Sequence, residues 1–96
     1  MARLIYSKLA VDDLEQLTDF LMDEYPRDVL ETVGLIEEAV SVLRRHPLIG
    51  RAVESDLCEL VISRGRSGHV ALYSVDAGRD VVMILAIRHQ REAGHY

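Results

Sequence analysis

The strongest indication of the fold is one uninterrupted apolar segment, Val81-Val82-Met83-Ile84-Leu85-Ala86-Ile87. Such a run is typical of a strand that is buried on both faces and lies inside a sheet. A polar segment follows it directly, Arg88-His89-Gln90-Arg91-Glu92-Ala93-Gly94-His95-Tyr96. Arginine binds phosphate or carboxylate, histidine transfers protons near neutral pH, and tyrosine offers a hydroxyl and a stacking face. The segment is therefore either a functional site supported by a rigid strand or a frayed polar end of the domain.

Two amphipathic helices are predicted ahead of this strand, because apolar residues recur there at intervals of three and four. Ser7 has the chemistry of an N-cap for the first helix, and Asp12 and Asp13 are expected near the positive end of its dipole. The first helix should end at Tyr25, because Pro26 disfavours helical geometry in the residue before it. Proline suits the first turn of a second helix, so the two form an antiparallel hairpin.

Strands are predicted on both sides of this helical hairpin. Arg3–Tyr6 precedes it, and after a stop at His46-Pro47 a loop is expected in which Gly50 adopts backbone angles closed to other residues. Three further strands are predicted at Cys58–Ser63, which reads as an edge or half-exposed strand, His69–Val75 and Asp80–Arg88. The expected fold is a single α+β domain over residues 1–96, with the helical hairpin packed on an antiparallel sheet in β-α-α-β-β-β order. Its expected core comprises Leu14, Leu17, Leu21, Val33, Ile36, Val40, Leu72, Ile84 and Ala86.

Composition limits the classes of function. Residues 1–43 carry three basic and ten acidic side chains, a formal charge of −7, whereas residues 44–96 carry eight and six, a charge of +2. Any contact with a polyanion is therefore expected in the second half. No stretch approaches the roughly 20 apolar residues of a membrane span, so we expect a cytoplasmic protein with no membrane partner. The one cysteine, Cys58, and the irregularly spaced histidines predict neither a metal site nor a cofactor.

Basic side chains are expected to cluster where two strands meet. Arg64 and Arg66 lie in the predicted turn before the His69–Val75 strand, and Arg88 ends the strand after it. If the last two strands pair as a hairpin, Arg88 lies near the start of its neighbour and so near His69. The alternative is that arginines in turns serve solubility alone.

The chain resembles the RelE/ParE superfamily of type II toxins. The resemblance covers essentially the whole chain and is carried by the element order and by four segments: Leu43-Arg44-Arg45-His46-Pro47-Leu48-Ile49-Gly50-Arg51, Glu59-Leu60-Val61-Ile62, Val70-Ala71-Leu72-Tyr73 and Val82-Met83-Ile84-Leu85-Ala86-Ile87-Arg88-His89-Gln90-Arg91. The resemblance implies a growth-inhibiting toxin that belongs to a plasmid-stabilisation system. Such a toxin is encoded beside a cognate antitoxin. The antitoxin would hold the toxin inactive, in a hetero-oligomer, by laying an extended or helical segment across its surface.

Two activities occur in that superfamily, and the resemblance leaves both open. The ParE-like branch acts on DNA gyrase, which would make the protein a non-enzymatic inhibitor whose target-binding residues are Arg64, Arg66, Arg88, His89 and Arg91. The RelE-like branch cleaves mRNA on the ribosome, which would make His89, Arg91 and Tyr96 catalytic. A negative net charge and a single lysine favour the ParE-like branch, because an RNA-binding site needs several phosphate contacts.

A third possibility is a non-toxic member that only binds its partner. In each case the resemblance implies an antitoxin. Its tail is expected on the apolar side of the helical hairpin, with Leu14, Leu21 and Tyr25, or on an unpaired strand edge. Because the helical half is acidic, that tail is expected to carry apolar anchors and basic side chains.

Overall fold

A computed structural model describes residues 1–54, 56–62 and 68–89 of the chain. Within them, helices α1 (Lys8–Glu24) and α2 (Val29–Ser41) pack on one face of a five-stranded sheet. The strands are β1 (Arg3–Tyr6), β2 (Arg51–Glu54), β3 (Leu57–Val61), β4 (His69–Asp76) and β5 (Val81–His89), and they lie in the order β1-β5-β4-β3-β2. The predicted α+β fold is confirmed, and β5, which contains the apolar run, is an interior strand. No helix in the described part of the chain is long and apolar enough to cross a membrane.

The boundaries of the helical hairpin follow from local chemistry. Ser7 caps α1, since its Oγ accepts a hydrogen bond of 3.0 Å from the backbone N–H of Ala10. Helix α1 ends before Tyr25, and Pro26 opens a 3₁₀ turn that leads into α2, as predicted. Helix α2 itself ends at Ser41, earlier than the predicted stop, because the chain tightens there into a second 3₁₀ turn.

The sheet contains one strand more than the sequence predicted. The short β2 pairs antiparallel with β3, so β3 is an interior strand. Of the two alternatives predicted for β3, the edge strand is wrong and the half-exposed strand is confirmed. The register between β2 and β3 shifts between Ala52 and Glu54. The side chains of β2 are mostly exposed, so its sequence lacks the alternation of apolar and polar residues that predicts a strand. At the opposite side of the sheet β1 pairs in parallel with β5, with Tyr6 opposite Ile84. The sheet is therefore antiparallel apart from this one pair.

The core lies between the helices and the inner face of the sheet. Its cluster of buried residues comprises Ala2, Ala10, Ile36, Val40, Leu43, Ala71, Tyr73, Val82, Ile84 and Ile87. Of the nine residues expected in the core, Leu21, Ile36, Val40, Ile84 and Ala86 are buried, whereas Leu14, Leu17, Val33 and Leu72 are only partly buried. Leu72 was a wrong choice, because strand alternation gives the position that faces the helices to its neighbour Tyr73.

Gly50 is required by a close approach and not by an unusual backbone angle, contrary to the prediction. Its backbone lies against the fully buried Tyr73, whose hydroxyl accepts a hydrogen bond of 2.9 Å from the Gly50 N–H. A Cβ at this position would lie 2.7 Å from the carbonyl oxygen of Glu59. Burial is also the main reason why the pKa of Tyr73 is raised above its ordinary value.

Candidate functional site

The described end of β5 carries two of the predicted functional residues, Arg88 and His89. In the register of the β4–β5 hairpin, Arg88 lies opposite Val70 and His89 lies opposite His69. Arg88 is therefore near the start of β4, where the hairpin prediction placed it. The two imidazole rings pack edge to face, with centroids 5.6 Å apart and planes at 76°.

A bulge sets the direction of this strand end. Leu72 pairs with Ala86 and Tyr73 pairs with Ile84, so Leu85 has no opposite residue on β4. One extra residue reverses which side chains face the helices from that point on. As a result Ile87 belongs to the core cluster although it is three residues beyond Ile84.

The start of α1 holds the bulge in place. Ser7 Oγ donates a hydrogen bond of 2.9 Å to the carbonyl oxygen of Leu85, 78 residues away in sequence. Asp13 Oδ2 accepts a hydrogen bond of 3.0 Å from the backbone N–H of Ile87. The sequence placed Asp13 near the helix dipole, but it lies beyond the first turn of α1, and its observed role is to fix the strand that carries Arg88 and His89.

A groove of about 900 Å³ lies between α1, the start of α2 and the ends of β4 and β5. We call it the hairpin groove. Its lining combines apolar and aromatic side chains (Leu17, Phe20, Leu21, Tyr25, Leu35, Ile87), carboxylates (Asp13, Asp28, Glu31), the polar Gln16 and Thr32, and the basic or imidazole groups of His69, Arg88 and His89. Phe20 and Tyr25 are exposed, and their rings pack against each other with centroids 6.1 Å apart. Paired exposed aromatics beside a buried leucine, here Leu21, are typical of a protein-binding surface.

A second groove of about 710 Å³ lies on the other side of α1, beside β1. We call it the β1 groove. Its lining comprises Leu4, Tyr6, Val11, Leu14, Glu15, Thr18, Asp19, Glu37, Ser41 and Arg44. Burial raises the pKa of Tyr6; the carboxylate of Glu37 raises it further, and the guanidinium of Arg44 opposes that effect. The Tyr6 side chain therefore lies within electrostatic reach of both charged groups.

The two grooves divide the predicted antitoxin-binding residues. Leu21 and Tyr25 line the hairpin groove, where they join Arg88 and His89, whereas Leu14 lines the β1 groove. The remaining predicted residues, Arg64, Arg66, Arg91 and Tyr96, lie outside the described residues. Among residues 1–54, 56–62 and 68–89, no group of three or more histidine, cysteine, aspartate or glutamate side chains could hold a metal ion.

Comparison with known proteins gives a consistent result. The family model of the ParE toxin of type II toxin-antitoxin systems matches residues 4–94. A search of curated proteins finds no match. Among solved structures, the chain is similar to one from the chromosomal ParDE toxin-antitoxin system of Pseudomonas aeruginosa, with 25% identity, 93% of this chain and 96% of that chain covered, and a TM-score of 0.75.

Two further solved structures share the fold. The chain is similar to one in the RelBE2 toxin-antitoxin complex of Mycobacterium tuberculosis, with 24% identity, 93% and 98% of the two chains covered, and a TM-score of 0.60. It is also similar to one in the intact RelBE toxin-antitoxin complex of Escherichia coli, with 14% identity, 93% and 96% covered, and a TM-score of 0.58.

Proposed function

This chain belongs to the ParE toxin family of type II toxin-antitoxin systems, and from that membership we propose that it stops growth by inhibiting DNA gyrase. It is the toxin component of such a system, and its partner is an antitoxin. Gyrase is proposed as the target because the ParE family model matches residues 4–94. Within the superfamily, gyrase is the target implied by resemblance to the ParE-like branch. The TM-score of 0.75 with a ParDE structure, against 0.60 and 0.58 with the RelBE complexes, supports the same branch.

The hairpin groove offers the contacts that such an inhibitor needs. Arg88 supplies a permanent planar charge that can bind a carboxylate with two parallel hydrogen bonds. Phe20 and Tyr25 supply exposed aromatic area in the same groove. Aromatic and arginine side chains carry most of the binding energy in many protein interfaces. In this proposal inhibition follows from surface contact, with Arg88 and His89 in the target-binding surface.

Neutralisation by the antitoxin would follow from the same geometry. Because Leu21 and Tyr25 share the hairpin groove with Arg88 and His89, an antitoxin segment lying on the two apolar residues would cover the two polar ones. Antitoxin and target would then compete for one surface. Leu14 would contact a different part of the antitoxin, since it lies in the β1 groove on the other side of α1.

An expression experiment tests the target. Wild-type toxin, Arg88→Ala, His89→Ala and Tyr96→Phe are induced without antitoxin, and DNA synthesis, translation and ribosome-bound mRNA cleavage are followed separately. The purified proteins are also added to a gyrase supercoiling reaction. Arg79→Ala is the matched control, because Arg79 lies in the turn at the other end of the β4–β5 hairpin and its side chain is 84% exposed.

We expect wild-type toxin, Arg79→Ala and Tyr96→Phe to block DNA synthesis and supercoiling, and Arg88→Ala to be weaker in both assays. Cleaved mRNA with intact DNA synthesis would instead establish the RelE-like nuclease, in which His89→Ala or Tyr96→Phe should abolish cleavage. Absence of toxicity from every variant, with antitoxin binding retained, would establish a member that only binds its partner.

A further inference from the structure

We propose that β2 is a self-association edge, through which two copies of this chain join their sheets about a twofold axis. The edge lies apart from the surfaces assigned above, because no residue of Arg51–Glu54 lines the hairpin groove or the β1 groove. The partner is a second copy of the toxin, so the inference does not depend on which cellular target the toxin has.

Strand β2 is the outermost strand on the side of the sheet opposite β1. Within the described residues no strand lies beyond it, and its side chains are mostly exposed. The N–H of Ile62 donates a hydrogen bond of 2.8 Å to the carbonyl oxygen of His69 on β4. Backbone groups alternate in direction along a strand, so Glu59, three positions earlier, directs its own towards β2. Arg51 lies opposite Glu59, and the next residue, Ala52, therefore presents its N–H and C=O to the open side.

The charges of this edge are complementary to themselves. Its sequence, Arg51-Ala52-Val53-Glu54, has a cation at one end and an anion at the other. When two copies pair antiparallel about an axis between Ala52 and Val53, Arg51 of each copy lies opposite Glu54 of the other. Parallel pairing would instead place like charges opposite each other, which is unfavourable. The pattern thus selects a second copy in one orientation, and the interface closes with the symmetry of most homodimers.

The irregular register of β2 brings both charges to the same face. In a regular strand, side chains three positions apart point to opposite faces. Here Arg51 lies opposite Glu59 and Glu54 lies opposite Leu57, two residues that are themselves two positions apart and so share a face. Arg51 and Glu54 consequently point to that same face. Both ion pairs of the dimer would form there, one on each side of the axis.

Arg51 is already oriented for this contact. Its Nη2 donates a hydrogen bond of 2.9 Å to Oε1 of the buried Glu59, while 74% of the Arg51 side chain remains exposed. A guanidinium has five N–H donors, so Arg51 can also bind the carboxylate of Glu54 in the second copy. Because Glu59 holds it in place, pairing orders the side chain at a lower entropic cost. Leu48 and Ile49, both exposed, directly precede the edge and add apolar surface for a second copy to cover.

Sedimentation velocity of the free, full-length toxin over a concentration series tests self-association. We expect a dimer with a Kd of about 1–100 μM, because the paired edges form a small interface. Glu54→Arg places like charges at both ends of the interface and should raise that Kd at least about tenfold. Glu38→Arg is the matched control, since it makes the same change of charge at an exposed position of α2 outside both grooves. It should leave the Kd nearly unchanged.

Two further measurements test the geometry of the pairing. Ala52→Pro removes the N–H that faces the open side, so it should abolish the dimer while the circular dichroism spectrum stays that of wild type. An equimolar mixture of Glu54→Arg and Arg51→Glu should dimerise although neither variant does so alone, because opposite charges again face each other at both ends. Circular dichroism also checks that Arg51→Glu is folded, since this change removes the ion pair with Glu59.

Each outcome supports or overturns the proposal. Wild-type toxin that stays monomeric throughout the series overturns it, and so does a dimer that both Glu54→Arg and Ala52→Pro leave intact. Loss of the dimer in these two variants and its retention in Glu38→Arg supports it. Folded Glu54→Arg and Arg51→Glu that fail to associate when mixed would overturn the antiparallel register. The gyrase proposal is tested separately by the supercoiling reaction, which none of these measurements involves.

Discussion

Substitution of Gly50 by alanine should destabilise the toxin strongly, although it adds a single methyl group at a half-buried position. The new Cβ would lie 2.7 Å from the carbonyl oxygen of Glu59 and 2.8 Å from Cε1 of Tyr73. Neither neighbour can move away cheaply, because one is strand backbone and the other is a fully buried ring. The Gly50 N–H would also be displaced from the Tyr73 hydroxyl that accepts its hydrogen bond.

The size of the effect follows from two contributions. Forcing an extra methyl group into closely packed surroundings typically costs about 1–3 kcal/mol. Losing a buried hydrogen bond adds about 0.5–1.5 kcal/mol. We therefore expect the free energy of unfolding to fall by about 2–4 kcal/mol for Gly50→Ala. In a domain of this size that corresponds to a decrease in Tm of roughly 10 °C or more.

Urea denaturation followed by circular dichroism measures this change, and Gly34→Ala provides the control. Gly34 lies within α2, and a Cβ there would meet nothing within 4 Å. Since alanine is the better helix former, Gly34→Ala should raise the free energy of unfolding by about 0.5–1 kcal/mol. The same substitution should thus have opposite signs at the two glycines. A Gly50→Ala protein within 0.5 kcal/mol of wild type would refute the close-approach argument.

Three further predictions concern other contacts of the site and core. Asp13→Ala should lower the free energy of unfolding by about 1–3 kcal/mol, because it leaves the Ile87 N–H without its acceptor, and Asp13→Asn, which keeps an acceptor oxygen, should cost less. In denaturant titrations Leu21→Ala should cost about 2–5 kcal/mol, whereas Leu30→Ala, at a side chain 88% exposed, should be nearly neutral. The free energy of unfolding of wild type should fall as pH rises above the ordinary tyrosine pKa of 10.0, because burial raises the pKa of Tyr73 in the folded state. In unfolding curves measured over a series of pH values, Tyr73→Phe should reduce that fall. An equally steep fall in Tyr73→Phe would contradict the last of these.

The helical hairpin and the long strands could be predicted from the amino-acid sequence. The capping chemistry of Ser7 and the constraints of Pro26 act on the residues beside them, so the bounds of α1 could be predicted from neighbouring positions. The apolar run of β5 likewise identifies an interior strand, because no exposed strand would have that composition. Part of the candidate functional site could also be predicted from the sequence. Pairing β4 with β5 through a short turn was enough to place Arg88 near His69.

Features that depend on residues distant in the chain could not be predicted from the sequence and became visible in the folded structure. Strand β2 has no apolar pattern and is defined by its pairing with β3. The bulge at Leu85 is held by Ser7, which is 78 positions away, and the need for glycine at position 50 comes from Tyr73, which is 23 positions away. The separation of Leu14 from Leu21 and Tyr25 arises in the same way. Leu14 and Leu21 share α1, and Tyr25 follows directly after it, but each groove is completed by different strands. Periodicity along a helix carries no information about which strand lies beside it.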